Sequence, residues 1–228
     1  MENLLGGLNL QKRKPLREVV YEALKRSILH GKLKGNQRLV EEALARQMGI
    51  SRTPVREAFH KLEQDDLIRR LPRGGFAVRE FTKEDVEEIF GIRIALESYA
   101  AYLATIHMTP DDLSALEKKI TESETAFKEG DDKKAVRLFT EFHDLLYRSC
   151  KSRKLIEMIH GYRDYFFRYR SALLHTRNGF KSSVSDHRQM LDAMKKKEPR
   201  LVESLVRAHL ERGREIILKE IREGRLIP

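Results

Sequence analysis

The chain has no tryptophan, only 6 prolines and a single cysteine among 228 residues, and these scarcities exclude several classes of protein. One cysteine, Cys150, cannot form an internal disulfide, and without a CxxC pair there is neither a cysteine-held structural zinc nor a dithiol redox site. Cys150 follows Leu146, Tyr147 and Arg148 and reads as a buried, inert thiol. No apolar run approaches the roughly 20 residues that a membrane span needs. The opening MENLLGGLNLQKRKP also lacks the apolar core of a signal peptide, so a cytoplasmic protein with no membrane partner is expected. Hydrophobic residues at 40% with aromatics at 7% describe an ordinary, helix-rich globular chain.

Negative charge is scarce at one end. The net charge is +10, and residues 1–78 carry 16 Lys/Arg against 9 Asp/Glu, whereas the remaining 150 residues hold 29 against 26. An excess of positive charge confined to one third of a chain points to an anionic partner of that third.

Within it, the stretch EEALARQMGISRTPVR, residues 41–56, reads as a short helix, a tight turn and a second helix. Glu41 to Arg46 are mostly good helix formers, Gly49 supplies the break, and Ser51 stands where a second helix needs its N-cap. Pro54 fits the first turn, where a missing N–H costs little. Arg52 and Arg56 are four residues apart and share a helix face. Hydroxyls and free N–H groups for phosphate, with guanidiniums on one face for guanine edges, suit a helix entering the DNA major groove. A further helix from Pro15 to about His30 precedes the pair, with Val19 or Val20, Ala23, Leu24, Ser27 and Ile28 on its apolar stripe. After it, LIRRLPRGGFAVREF holds two short β-prone runs around Pro72-Arg73-Gly74-Gly75, a hairpin that makes the unit a winged helix. Arg69, Arg70 and Arg73 make the wing basic, and its glycines let the backbone approach a groove closely.

The run from Leu33 to Val78, with SRTPVREA its most specific part, resembles the DNA-binding domain of the GntR family of bacterial transcription regulators. The resemblance implies that Ser51, Arg52, Thr53 and Arg56 contact operator DNA and that Gly74 or Gly75 at the wing tip reaches the minor groove, where the charge of the wing makes Arg73 a further DNA-contacting candidate. Glu42 departs from it, since some members carry an arginine there that also touches DNA.

Beyond Phe81 the strand pattern ends. Six helices are expected: Thr82 to about His107, Thr109 to about Glu129, one ending near Cys150, Ser152 to about His175, Ser183 to Lys197, and Pro199 to about Glu223. A loop rich in Asn178, Gly179, Lys181 and Ser182 is expected before the fifth. The fold class is therefore mostly α: a tail over residues 1–14, a winged helix-turn-helix domain over 15–79, and an all-α bundle over 80–228 that binds an effector and dimerises.

Three of the 8 histidines face inward by their spacing. His143 falls among Val136, Phe139, Leu146 and Tyr147, His187 among Val184, Met190, Leu191 and Met194, and His209 among Val202, Leu205, Val206 and Ile216. Inward histidines from three helices of one bundle are the way a metal site is assembled in a bundle core. Alone, each reads as a hydrogen-bonded core residue.

Residues 82–222 resemble the FCD effector domain of the FadR-type branch, through GIRIALES, TEFHDLL, VSDHRQMLDAM and VRAHLERG. The resemblance implies a divalent metal, such as zinc or nickel, on the three histidines, and an acidic ligand four residues before the first of them. That position is Phe139, and the family's Asn shortly after this helix is replaced by Ser152. Arg93 is a candidate to hold an effector carboxylate, although Glu97, four residues on, could satisfy it internally. Arg163 and Arg170, with Tyr162, Phe166 and Tyr169, are further candidates on the fourth helix of the bundle. The function expected is a homodimeric repressor of double-stranded operator DNA that is controlled by a small organic acid. A metal-dependent enzyme and a non-specific architectural DNA binder are the alternatives, the enzyme disfavoured by the lack of a hydrolase spacing such as HExxH.

Overall fold

A computed structural model describes residues 14–174 and 177–224, the side chains of 163, 164, 166–174 and 177–179 excepted. The chain divides into two compact units, residues 1–80 and 81–228.

In the first unit α1 (Leu16–Leu29) buries Val20, Tyr21, Leu24, Ile28 and Leu29, while Val19 faces solvent. It packs on α3 (Arg52–Gln64), whose Val55, Ala58, Phe59 and Leu62 recur at helical spacing and are almost wholly buried. Phe59 meets Phe76 edge to face, and truncating a buried Phe to Ala typically costs about 3–5 kcal/mol. Between them α2 (Glu41–Met48) ends on Gly49, whose φ of 66° places it in the left-handed region that closes a helix. The hairpin expected from the sequence forms from β2 (Ile68–Arg70) and β3 (Phe76–Val78), with Ile68 opposite Val78. A short strand not expected from the sequence completes the sheet: β1 (Arg38–Leu39) pairs antiparallel with β3, giving the order β1-β3-β2. Of the basic triplet Lys12-Arg13-Lys14, only Lys14 is among the described residues, and it pairs with Glu22 at 2.7 Å.

The second unit holds α4 (Lys83–His107), α5 (Pro110–Lys128), α6 (Asp132–Arg148), α7 (Arg153–Leu174), α8 (Arg177–Lys195) and α9 (Pro199–Arg222). Thr82 and Thr109 both close capping boxes, with Asp85 and Asp112 returning hydrogen bonds of 2.7 and 2.9 Å to the cap N–H. An 18-residue window of α4 has a mean hydropathy of 1.3, apolar enough for a membrane span by composition, yet half of it is buried within the bundle. Its middle also carries the ion pair Arg93–Glu97, and it packs along α9 as a core helix. α8 begins at Arg177, six residues before the expected Ser183. The cause is Phe180, which is buried, stacks on Phe127 at 3.8 Å and meets Phe139 edge to face at 4.9 Å. Burial of that ring overrides the turn-forming composition around it. Cys150 is buried, as its neighbours suggested.

Candidate DNA-reading face and metal centre

Ser51 occupies the N-cap of α3 in extended backbone, φ −68° and ψ 161°, but its side chain makes no cap hydrogen bond. One of its two usual partners is missing three residues on. An N-cap hydroxyl accepts from the second or third helical N–H, and here the third helical residue is Pro54, which has none. No acidic residue stands in the first turn of α3, so the positive end of its dipole is left for an external anion. Arg52, Thr53 and Arg56 are exposed beside it. Arg52 lies 3.9 Å from Glu41, a pair too exposed to hold it firmly. Glu42, the departure from the family pattern, pairs with Arg46 at 3.3 Å on the surface of α2.

At the wing tip Gly74 and Gly75 both adopt positive φ, 81° and 80°, which only glycine takes without strain. The turn closes through Leu71 N–H to Gly75 O at 3.0 Å and Gly74 N–H to Leu71 O at 3.1 Å. Arg38 on β1 donates to Gly74 O at 3.3 Å, so the added strand steadies the tip. Arg73 is exposed there. Arg69 and Arg70 are tied into the domain, Arg69 to Asn36 at 3.1 Å and Arg70 to Glu63 at 3.2 Å and over the Phe76 ring. The hydrogen bond and charge of Glu63 raise the Arg70 pKa.

In the bundle, α6, α8 and α9 bring His143, His187 and His209 together, with one ligand atom of each within 4.8 Å of the others. His143 and His187 are buried, and His143 Nε2 lies 3.2 Å from His187 Nε2. The walls are aromatic: His187 stacks on Phe142 at 4.3 Å and lies 4.9 Å from Phe139. His209 Nδ1 lies 2.9 Å from Asp186 Oδ2, and Arg212 reaches the other oxygen at 2.5 Å. Burial alone pushes the Asp186 carboxyl up, but the hydrogen bonds and charges of His209 and Arg212 outweigh it and hold the pKa below its ordinary value. Zinc-like ions sit about 2.0–2.1 Å from imidazole nitrogen. Three donors within 4.8 Å of one another are close enough to converge on one ion, so the cluster could hold a divalent metal.

Arg93 and Glu97 are both about 95% buried and form a two-pronged pair, Nε to Oε1 at 2.6 Å and Nη2 to Oε2 at 3.2 Å. Tyr147 donates its hydroxyl proton to Glu97 Oε2, and the Tyr147 hydroxyl oxygen itself lies 3.1 Å from His143 Nδ1. The Glu97 partner of Arg93 follows from its spacing, but the Tyr147–Glu97 and Asp186–His209 contacts do not, because those partners lie 50 and 23 residues apart. The spacing Asp186-His187, an acidic residue beside a ligand candidate, was the one available signal. Arg163, Tyr169 and Arg170 belong to α7, and their side chains lie outside the described residues. A groove of about 690 Å³ lined by Phe127, Phe180 and Val184, with Lys128 and Lys181 beside Glu124 and Asp132, opens in the same unit.

Residues 16–78 match the model of the bacterial regulatory proteins of the gntR family, and residues 88–212 match that of the FCD domain. The chain is 32% identical over 222 residues to the uncharacterized HTH-type transcriptional regulator YdhC of Bacillus subtilis, covering 97% of this chain and 99% of that one. It is 25% identical over 214 residues to the HTH-type transcriptional repressor RspR of Escherichia coli, covering 94% and 93%. The solved structure of E. coli McbR/YncC is similar at a TM-score of 0.70 and 27% identity, covering 92% of this chain and 100% of that one. These matches set aside the reading of the three histidines as the centre of an enzyme. The chain belongs to the GntR family of bacterial regulatory proteins, as a helix-turn-helix transcriptional regulator whose second domain is an FCD domain.

Proposed function

We propose that this regulator is a repressor that binds a two-fold-related operator as a homodimer and is released by a small organic acid sensed in the FCD bundle. The observation that carries the DNA half is the start of α3. A helix N-terminus with no acidic residue in its own first turn, a Ser51 hydroxyl that makes no cap hydrogen bond, and the exposed Arg52 and Arg56 stand together. Ser51 and Thr53 then serve phosphate, Arg52 and Arg56 serve guanine edges, and Arg73, Gly74 and Gly75 serve the minor groove. The similarity to RspR, a transcriptional repressor, supports the direction of control.

For the sensing half, His143, His187 and His209 would hold zinc or nickel, which imidazole suits. A bound ion supplies positive charge and open coordination positions for a carboxylate oxygen. Among the described residues no carboxylate belongs to the histidine cluster itself, which favours an anionic ligand from outside. The groove beside Phe180 is of a size to admit such a molecule. Arg93 is engaged by Glu97, and Arg163, Tyr169 and Arg170 stay as candidates from α7. Binding would alter how the two DNA-binding domains of the dimer are spaced.

A thermal-shift screen of organic acids on the full chain, with and without zinc or nickel, tests this reading. Hits should stabilise the protein only with the ion and lower its affinity for DNA upstream of its own gene in a gel shift. A hit that needs no metal, or that leaves DNA binding unchanged, overturns the sensing half.

A further inference from the structure

The Arg93–Glu97 pair sits one side chain away from a prospective metal ligand, and the direction of each hydrogen bond between them can be worked out. A carboxylate only accepts, and Arg93 reaches both oxygens of Glu97 at 2.6 and 3.2 Å. Tyr147 has one hydroxyl proton and gives it to Glu97 Oε2. Toward His143 Nδ1, 3.1 Å away, that hydroxyl can therefore only accept. His143 must then carry its proton on Nδ1. Its Nε2 is left as a bare lone pair, and that atom faces His187 Nε2 at 3.2 Å, which donates to it.

We propose that Glu97, acting through the Tyr147 hydroxyl, is a positioning residue of the three-histidine site and fixes His143 in the Nδ1–H form with Nε2 presented for ligation. The proposal rests on the reading of the cluster as a metal site. A free imidazole has no such constraint, and only the Nε2 lone pair of His143 converges on His187. Asp186 does the same for His209 from the opposite side, directly rather than through a hydroxyl, with its second oxygen held by Arg212 at 2.5 Å. The cluster thus has negative charge in its surroundings although its own donors are three imidazoles. Two carboxylates, the buried Glu97 and the half-buried Asp186, each anchored by an arginine, polarise two of its rings.

Arg93 takes a place in this chain too. Its guanidinium compensates Glu97, which otherwise would be a lone buried charge, and it sets the carboxylate plane that Tyr147 meets.

The test uses the metal-free full chain and Ni²⁺ or Zn²⁺ alone, titrated by calorimetry. Tyr147→Phe keeps the ring and the Arg93–Glu97 pair but removes the relay, and it should lower metal affinity by roughly 10–100-fold, the usual effect of losing such an outer partner. Glu97→Gln should do likewise, and in the Tyr147→Phe background it should add nothing, because the two act in series. Asp186→Asn should add its loss in full, because it acts on another ring. Tyr147→Phe with wild-type affinity, or a double variant whose losses add, overturns the relay. Wild-type protein that takes up no metal overturns the metal reading itself and is distinguishable from either. A measurement that needs no variant guards against misfolding: long-range ¹H–¹⁵N spectra of the wild-type metal-free imidazoles at pH 8, above the ordinary histidine pKa of about 6.5. His143 should show the Nδ1–H form, and an Nε2–H signature overturns the proposal.

Discussion

The Phe139 ring lies 4.9 Å from the ring of His187 and 4.9 Å from that of Phe180, so an apolar side chain fills the α6 position where the FCD pattern carries an acidic ligand. Phe139→Asp should therefore have two opposed effects. Losing a buried aromatic costs about 3–5 kcal/mol, and the unfolding free energy of the metal-free protein should fall by that order. Metal affinity should rise, because an anionic oxygen joins three neutral nitrogens. Denaturant unfolding and calorimetry of the same sample check both. A variant that loses stability without gaining affinity shows that residue 139 does not point at the ion.

Much of this was legible in the sequence because it depends on short-range signals. Gly49, Ser51 and Pro54 mark the turn and the second helix within six residues, and Pro72 to Gly75 mark the wing. Thr82 with Asp85 and Thr109 with Asp112 announce two helix starts three residues apart. The missed features are long-range. Arg38 and Leu39 carry no strand signal of their own and become β1 only because β3, across some 37 residues of chain, offers an unpaired edge. The start of α8 follows from where Phe180 is buried, against Phe127 and Phe139 of other helices. The histidine periodicity predicted a shared centre, but not the Glu97–Tyr147 and Asp186 contacts around it. Those depend on how α4, α6, α8 and α9 dock.

Arg52→Ala and Arg56→Ala should each abolish specific operator binding on a gel shift and leave the melting temperature within error. A good bidentate base contact is worth about 1–3 kcal/mol, and losing it relaxes discrimination as well as affinity. Neither arginine is buried, and the Arg52–Glu41 pair at 3.9 Å, with the Arg52 side chain 67% exposed, adds little to the fold. Wild-type binding by both variants would remove α3 as the reading helix.

The wing glycines should differ from one another. At both positions a side chain meets the left-handed φ penalty of about 1–2 kcal/mol. At Gly75 a Cβ would also lie 3.2 Å from Leu39 O and 3.7 Å from Arg38 Nε, whereas at Gly74 nothing lies within 4 Å. Gly75→Ala should push β1 from the tip, disturb the Arg38–Gly74 bond and weaken operator binding more than Gly74→Ala does. Fluorescence anisotropy with labelled operator orders the two, and equal losses would show that the backbone angle alone matters.

Metal occupancy should be partial. Three neutral imidazoles compensate none of an ion's charge directly, and Glu97 and Asp186 act on them through Tyr147 and through His209. Purified protein should therefore carry less than one tightly held divalent ion per chain by elemental analysis, and a chelator should strip what is there. Re-adding zinc or nickel should raise the melting temperature in a concentration-dependent way, since an ion that binds only the folded state at 100 times its Kd adds about 2.7 kcal/mol. The same addition to a His187→Ala variant should leave the melting temperature unmoved. Stoichiometric metal surviving the chelator in the wild type would mean that the outer carboxylates, with the aromatic walls of Phe139 and Phe142, replace the missing acidic ligand fully.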